Sequence, residues 1–191
     1  MMAMALGPTF LAFNRPDLTQ RIECSSLTLK ERNFQLILGS LSFSILMWGS
    51  FMFISILLYR EEMLTQVGMF RILNSFIFLL VSIGIAFLIS QVVKGGEALF
   101  AASNVIGLGL SFLSGVFVPL DVLNENVLRF SRFTPTYWYI RNNNLLTTQF
   151  SLTNQSIQSF REAAMIQLTF ALAIFAVTLV IIKQKKLKPK I

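Results

Sequence analysis

Four uninterrupted apolar stretches set the pattern of this chain. Asn33–Tyr59, Ile72–Val93, Ala98–Leu120 and Ala163–Ile182 carry no charged residue over 27, 22, 23 and 20 positions. Each matches the length of about 20 mostly apolar residues that carries a helix through the hydrocarbon of a bilayer. Buried helices of soluble domains rarely run so long without a charge. Lipid offers no partner for backbone N–H and C=O groups, so each stretch is predicted to be a helix. The polar segments between them divide the rest. Residues 1–14 are apolar but too short to span, and read as the end of an incomplete transmembrane helix. Residues 15–32 form a polar loop, 121–162 a longer amphipathic one, and 183–191 a basic tail.

The expected fold is therefore an all-α integral membrane protein. It has four full transmembrane helices, a cytoplasmic interfacial helix in 15–32 and an external re-entrant helical hairpin within 121–162. Small residues dot the first and third stretches, namely Gly39, Ser40, Ser42, Ser44, Gly49 and Ser50, then Gly107 and Gly109. They predict faces where helix backbones approach closely. The spans as drawn contain no ionisable residue, which disfavours a proton or ion relay within them.

Composition strengthens the membrane reading. Residues of the AVILMFWYC set make up 54% of the chain and charged residues 13%, with a mean hydropathy of +0.67. Soluble domains are about one quarter charged. There is no His and one Cys, Cys24, so intrachain disulfides and histidine-based acid–base chemistry are excluded and a Cys/His metal centre lacks ligands. No G-x-x-x-x-G-K-[ST] phosphate loop occurs. The expectation is a protein without cofactor or metal and without catalysis of its own. The net charge of +7 sits beside the apolar runs, where membrane topology calls for it, and does not predict nucleic-acid binding.

Orientation follows from the same charges. The tail from Lys183 to Lys190 holds five lysines in eight residues. The positive-inside rule puts it in the cytoplasm, and four spans then return the N-terminus to the same side. Ten of the 16 basic residues, including all seven lysines, fall inside on this topology. The expected location is the cell membrane, with both termini cytoplasmic.

Two segments carry candidate function. In Arg15–Arg32, Leu18, Ile22 and Cys24 or Ser25 recur at helical spacing, which suits a short helix docking on a cytoplasmic partner as well as it suits a solvated loop. In Ser111–Tyr139, the third span is expected to end at Val118-Pro119. Apolar Leu120, Val122, Leu123, Val127, Leu128 and Phe130 then interleave with Asp121, Asn124, Glu125 and Arg129. Such a segment can lie in the interface or re-enter shallowly. Pro135 is expected to break the helix, and Tyr137-Trp138-Tyr139 to sit in an aromatic belt at headgroup level.

The stretch Leu110–Leu120, LSFLSGVFVPL, followed by Phe133-Thr134-Pro135-Thr136-Tyr137-Trp138-Tyr139, resembles the C-terminal signature of ABC-2-type permeases, the membrane subunits of ATP-binding-cassette exporters. The shared pattern is an apolar helix ending in Ser-Gly-x-Phe-x-Pro, an external hairpin, then Phe-x-Pro-x-x-Tyr. Leu27–Ser40, LTLKERNFQLILGS, is similar to the stretch by which a coupling helix leads into the family's third span. The resemblance covers nearly the whole chain, from about the end of the second of six helices. It departs at Leu123-Asn124-Glu125-Asn126, where members often carry a Pro.

The resemblance implies a permease subunit, whole or truncated, energised by a separate ABC ATPase. The apolar, uncharged spans with Ser42, Asn74, Asn104 and Gln167 scattered through them favour an amphipathic substrate. The ATPase would engage Asp17, Leu18, Arg21 and Ile22. Ser114, Gly115, Phe117, Pro119, Pro135 and Tyr137 would form the external hairpin or gate. A second permease subunit and membrane lipid are the other implied partners. The competing reading is a non-transporting membrane protein such as an assembly or immunity factor.

Overall fold

A computed structural model describes residues 29–93, 95–147 and 153–187. Among the described residues all regular secondary structure is helical. In order come α1 (Leu29–Leu58), α2 (Arg60–Met63), α3 (Gln66–Val92) and α4 (Gly96–Leu113). A 3-10 turn over Leu120–Val122 precedes α5 (Glu125–Ser131), α6 (Pro135–Thr147) and α7 (Asn154–Leu187).

Four helices are long and apolar enough to cross a membrane. They are Leu38–Leu58, Gln66–Val92, Gly96–Leu113 and Asn154–Gln184, with mean hydropathies of 2.0, 2.6, 1.4 and 2.5. These are the helices of a membrane protein by length and composition. Their ends differ from the charge-free runs. Three begin earlier, so Arg71 lies inside α3, Glu97 inside α4, and Arg161 with Glu162 inside α7. A charge near a helix end reaches the interface along its own flexible stem, which is why a charge-free run is shorter than the helix. The third ends earlier, at Leu113 and not at Pro119.

The chain divides into two compact units. Of the described residues, one comprises those within 29–47, 82–104 and 174–187, the other those within 48–81 and 105–173. In the first, Ile83, Ala86, Ile89 and Leu99 are buried together with Ser40, Ser44, Ser103 and Thr178. The Ser44 and Thr178 hydroxyls bond back onto their own turn, to Ser40 O (2.7 Å) and Ile174 O (2.7 Å). This hides a polar group without needing a neighbour. Ser103 Oγ, by contrast, is buried without a hydrogen-bond partner among the described residues. α3 meets α7 at Gly84, where an added Cβ would lie 3.3 Å from Ile174 Cγ2 and 3.4 Å from Phe175 Cε2. Close approach of backbones is the use of glycine in membrane helices.

The glycines singled out from the sequence behave differently. A Cβ on Gly39, Gly49, Gly107 or Gly109 would meet no atom within 4 Å. Within one chain they are not close-packing positions, and Gly84, which the pattern did not single out, is.

The second unit holds the larger core. Ile77, Leu146, Phe160 and Ala164 form its centre, flanked by Val67, Phe70, Leu145 and Leu168. Phe160 meets Phe70 edge-on at 5.0 Å, and Tyr139 stacks on Phe78 at 4.5 Å. Trp48 of α1 donates to Ser75 Oγ (3.1 Å) and meets Phe76 edge-on at 5.3 Å. The expected aromatic belt is thus only partly outward. Tyr137 is buried, and Tyr139 is spent on a helix–helix contact.

Candidate functional site

The segment between α4 and α7 is built from local stop and start signals. α4 ends because Gly115 takes φ +89°, a left-handed conformation that costs other residues about 1–2 kcal/mol. The N–H of Val116 then donates back to Ser111 O (3.2 Å), and that of Ser114 to Leu110 O (3.0 Å). This is a Schellman closure, with glycine at the residue just past the helix. Gly115 is required twice, because an added Cβ would also lie 2.7 Å from Cγ and Cδ2 of Leu120. Ser114 beside it is fully buried, and its hydroxyl donates to Ser111 O (3.3 Å).

Phe117 and Pro119 follow on the exposed side of this turn. Phe117 packs on Phe112 at 4.8 Å. Pro119 starts the 3-10 turn with φ −52° and ψ 141°, and lacks the N–H that such a start would leave unpaired. Asn124 caps α5, its side chain accepting from the N–H of Asn126 (3.2 Å). Asparagine is among the preferred residues at this position. Asn124 is therefore a helix start. Pro135 opens α6 as its first residue and is buried. The preceding helix already ends at Ser131, so Pro135 marks the start of a helix and not the break of one.

α5 is fastened to the end of α4 by Ser131. Its hydroxyl is fully buried, donates to Leu113 O, and also bonds Val127 O (2.8 Å). Ser131→Ala is expected to destabilise the chain by about 1 kcal/mol, read as a lower unfolding midpoint in detergent with helix content unchanged.

α6 is fastened more firmly, by amides. Asn74 of α3 is fully buried. Its Nδ2 donates to Tyr139 O (3.1 Å) and Asn143 Oδ1 (3.0 Å) on α6. Its Oδ1 accepts from Asn142 Nδ2 (3.2 Å) and from Gln167 Nε2 (3.0 Å) on α7. Asn142 Nδ2 also reaches Phe160 O (3.4 Å). One carboxamide thus uses two donors and two acceptor positions, its ordinary full capacity. Three helices meet on it. Gln167 Oε1 is the exception, buried and without a hydrogen-bond partner.

The C-terminal end of α6 is held by charge. Arg71 Nη2 lies 3.5 Å from Leu146 O and from Thr147 Oγ1, while its Nη1 is 3.7 Å from Glu62 Oε2 of α2. A guanidinium at a helix C-terminus serves the last carbonyls and opposes their partial negative charge.

Of the residues proposed for the hairpin, Ser114, Gly115, Phe117 and Pro119 lie together around the end of α4. Pro135 and Tyr137 lie in the first turn of α6, buried. Asp17, Leu18, Arg21 and Ile22 lie outside the described residues, as do 1–28 as a whole. Pattern reading missed Asn142 and Asn143. Their signal was an Asn-Asn-Asn run facing lone amides, Asn74 and Gln167, in otherwise apolar helices. Comparison with models of known families, with curated proteins and with solved structures finds no match to this chain.

Proposed function

We propose that this chain is the permease subunit of an ATP-driven exporter of the ABC-2 type, moving an amphipathic substrate across the cell membrane. One observation carries the reading. Between the last two long helices, the chain stops at Gly115, turns, and returns through two short helices that are bonded to α3, α4 and α7 rather than left as a loop. A built insert of this kind, bearing the Ser-Gly-x-Phe-x-Pro and Phe-x-Pro-x-x-Tyr pattern, supports an external re-entrant hairpin. It has no evident use in a protein that needs only stable spans.

On this reading both termini are cytoplasmic and the 15–32 segment is an interfacial coupling helix. ATP-driven closure of two ATPase subunits would move Asp17, Leu18, Arg21 and Ile22. That motion would shift two permease subunits between inward- and outward-facing states. The four apolar helices supply the path, the ATPase supplies the energy, and substrate leaves beneath the hairpin.

The test is recovery of the partner. Purification of the intact chain in mild detergent is expected to bring an ABC ATPase with it. Replacing Leu18 and Ile22 by Asp is expected to lower that recovery at least tenfold, or about 1.4 kcal/mol, while leaving membrane insertion intact. Recovery of no ATPase by the unaltered chain would instead favour the assembly or immunity reading.

A further inference from the structure

We infer that the outer face of α5 is a binding site for the phosphate of an anionic membrane lipid, held by Arg129 and Arg132, with Phe130 and Phe133 set among the acyl chains. This rests on the chain crossing a membrane and not on its being a transporter.

A groove of about 340 Å³ is lined by Glu125, Leu128, Arg129 and Arg132. These positions recur at intervals of three and four, so they form one face of the helix and its exit. Two guanidinium groups stand against one carboxylate, which leaves an excess positive charge. Among the described residues neither guanidinium has a hydrogen-bond or ion-pair partner. Arginine presents a planar fork that matches phosphate oxygens two at a time.

The neighbouring positions say what kind of phosphate. Phe130 is 71% exposed and Phe133 79%. The helix has no freedom to turn them inward, because Ser131 between them is fully buried and bonded to Leu113 O. Two outward phenylalanines beside two unpaired arginines suit the boundary between headgroups and acyl chains, where each finds its own medium. A soluble anion would leave the rings in water. Trp138 supports the same level, donating its indole N–H to Arg132 O (2.9 Å) and carrying the Arg141 guanidinium 5.2 Å from its ring centre. Tryptophan is enriched at that depth of a bilayer.

Trp138 also reports on the site. The full chain, with Trp48→Phe to leave Trp138 as the single tryptophan, is reconstituted in phosphatidylcholine vesicles. Brominated phosphatidylglycerol or brominated phosphatidylcholine is added at the same mole fraction. The anionic lipid is expected to quench Trp138 at several-fold lower mole fraction, about fivefold for each arginine engaged. The preference should vanish in R129Q/R132Q with helix content unchanged. It should also fall in the unaltered site when salt is raised to about 1 M, where screening acts within about 3 Å. Equal quenching by the two lipids overturns the inference, as does a preference that survives both the double substitution and high salt. Loss of the preference on adding inorganic phosphate alone, at constant ionic strength, overturns it in favour of a soluble-anion site. Should the double variant lose helix content, R129Q and R132Q singly are each expected to remove part of the preference. A preference unchanged in both overturns the inference.

Discussion

Asn74→Leu is expected to destabilise the chain by about 2–4 kcal/mol, close to the sum of four membrane hydrogen bonds at roughly 0.6 kcal/mol each plus the cost of amides left unpaired. Leucine branches at Cγ as asparagine does but is bulkier, so at this fully buried position some overpacking adds to the lost bonding. It removes the acceptor of Gln167 Nε2 (3.0 Å) and of Asn142 Nδ2 (3.2 Å), and the donor to Asn143 Oδ1 (3.0 Å). Gln167 fares worst, because its Oε1 has no partner even in the intact chain. Reversible unfolding in mixed detergent micelles measures the loss. Thr169→Val is the control: Thr169 is exposed and bonds only Met165 O of its own turn, 2.9 Å away. A cycle with Gln167→Leu sharpens the test. Removing both amides leaves fewer orphans than removing one, so the double variant should lose less than the sum of the singles. Additive losses would mean that the cluster is not one bonded unit.

Gly115→Ala is expected to cost about 2–4 kcal/mol, combining about 1–2 kcal/mol for a left-handed alanine with overlap against Leu120. Relief requires the Leu120 side chain or the end of α4 to shift. Leu120 begins the 3-10 turn, and Ser114 is fully buried. Relaxing φ at Gly115 would break the Val116 to Ser111 bond and let α4 run on. Gly107→Ala on the same helix meets no atom within 4 Å, and by helix propensity it should be neutral or stabilising by up to about 1 kcal/mol. The pair is compared by thermal unfolding in detergent and, in a Trp48→Phe background, by Trp138 emission, which reports on the start of α6. Equal effects of the two substitutions would remove Gly115 as the cause of the helix stop. In the exporter reading, Gly115→Ala should also abolish transport while the ATPase still co-purifies, because the hairpin and the coupling segment are far apart in sequence.

Both substitutions act on the insert between α4 and α7, and the sequence made that insert only half legible. Its punctuation was readable. Ser114-Gly115, Pro119, Asn124 and Pro135 are residues whose backbone preferences act locally, and they mark the turn, the 3-10 start, the α5 cap and the first turn of α6. The end of α4 was placed at Pro119 from hydropathy, because Ser114–Val118 are as apolar as the span before them. Conformation and not polarity ends the helix, six residues earlier. Tyr137 and Tyr139 were assigned to an interfacial belt on composition. Composition does not reveal that Phe78 stands 4.5 Å away to take up the Tyr139 ring.

What the sequence determined by itself was the number of long apolar helices, the absence of histidine chemistry and the residues that stop and start the short ones. Each of these follows from properties a residue carries with it: transfer from water, titratable groups, allowed φ and ψ. The tertiary structure alone decided that Asn74 is shared among three helices, that Gly84 and not Gly107 marks a close approach, and that Phe130 faces outward while Ser131 is buried. Those depend on which helix lies beside which. A hydrogen bond such as Gln167 to Asn74 joins positions 93 residues apart, and periodicity along one helix does not encode the identity of its neighbour.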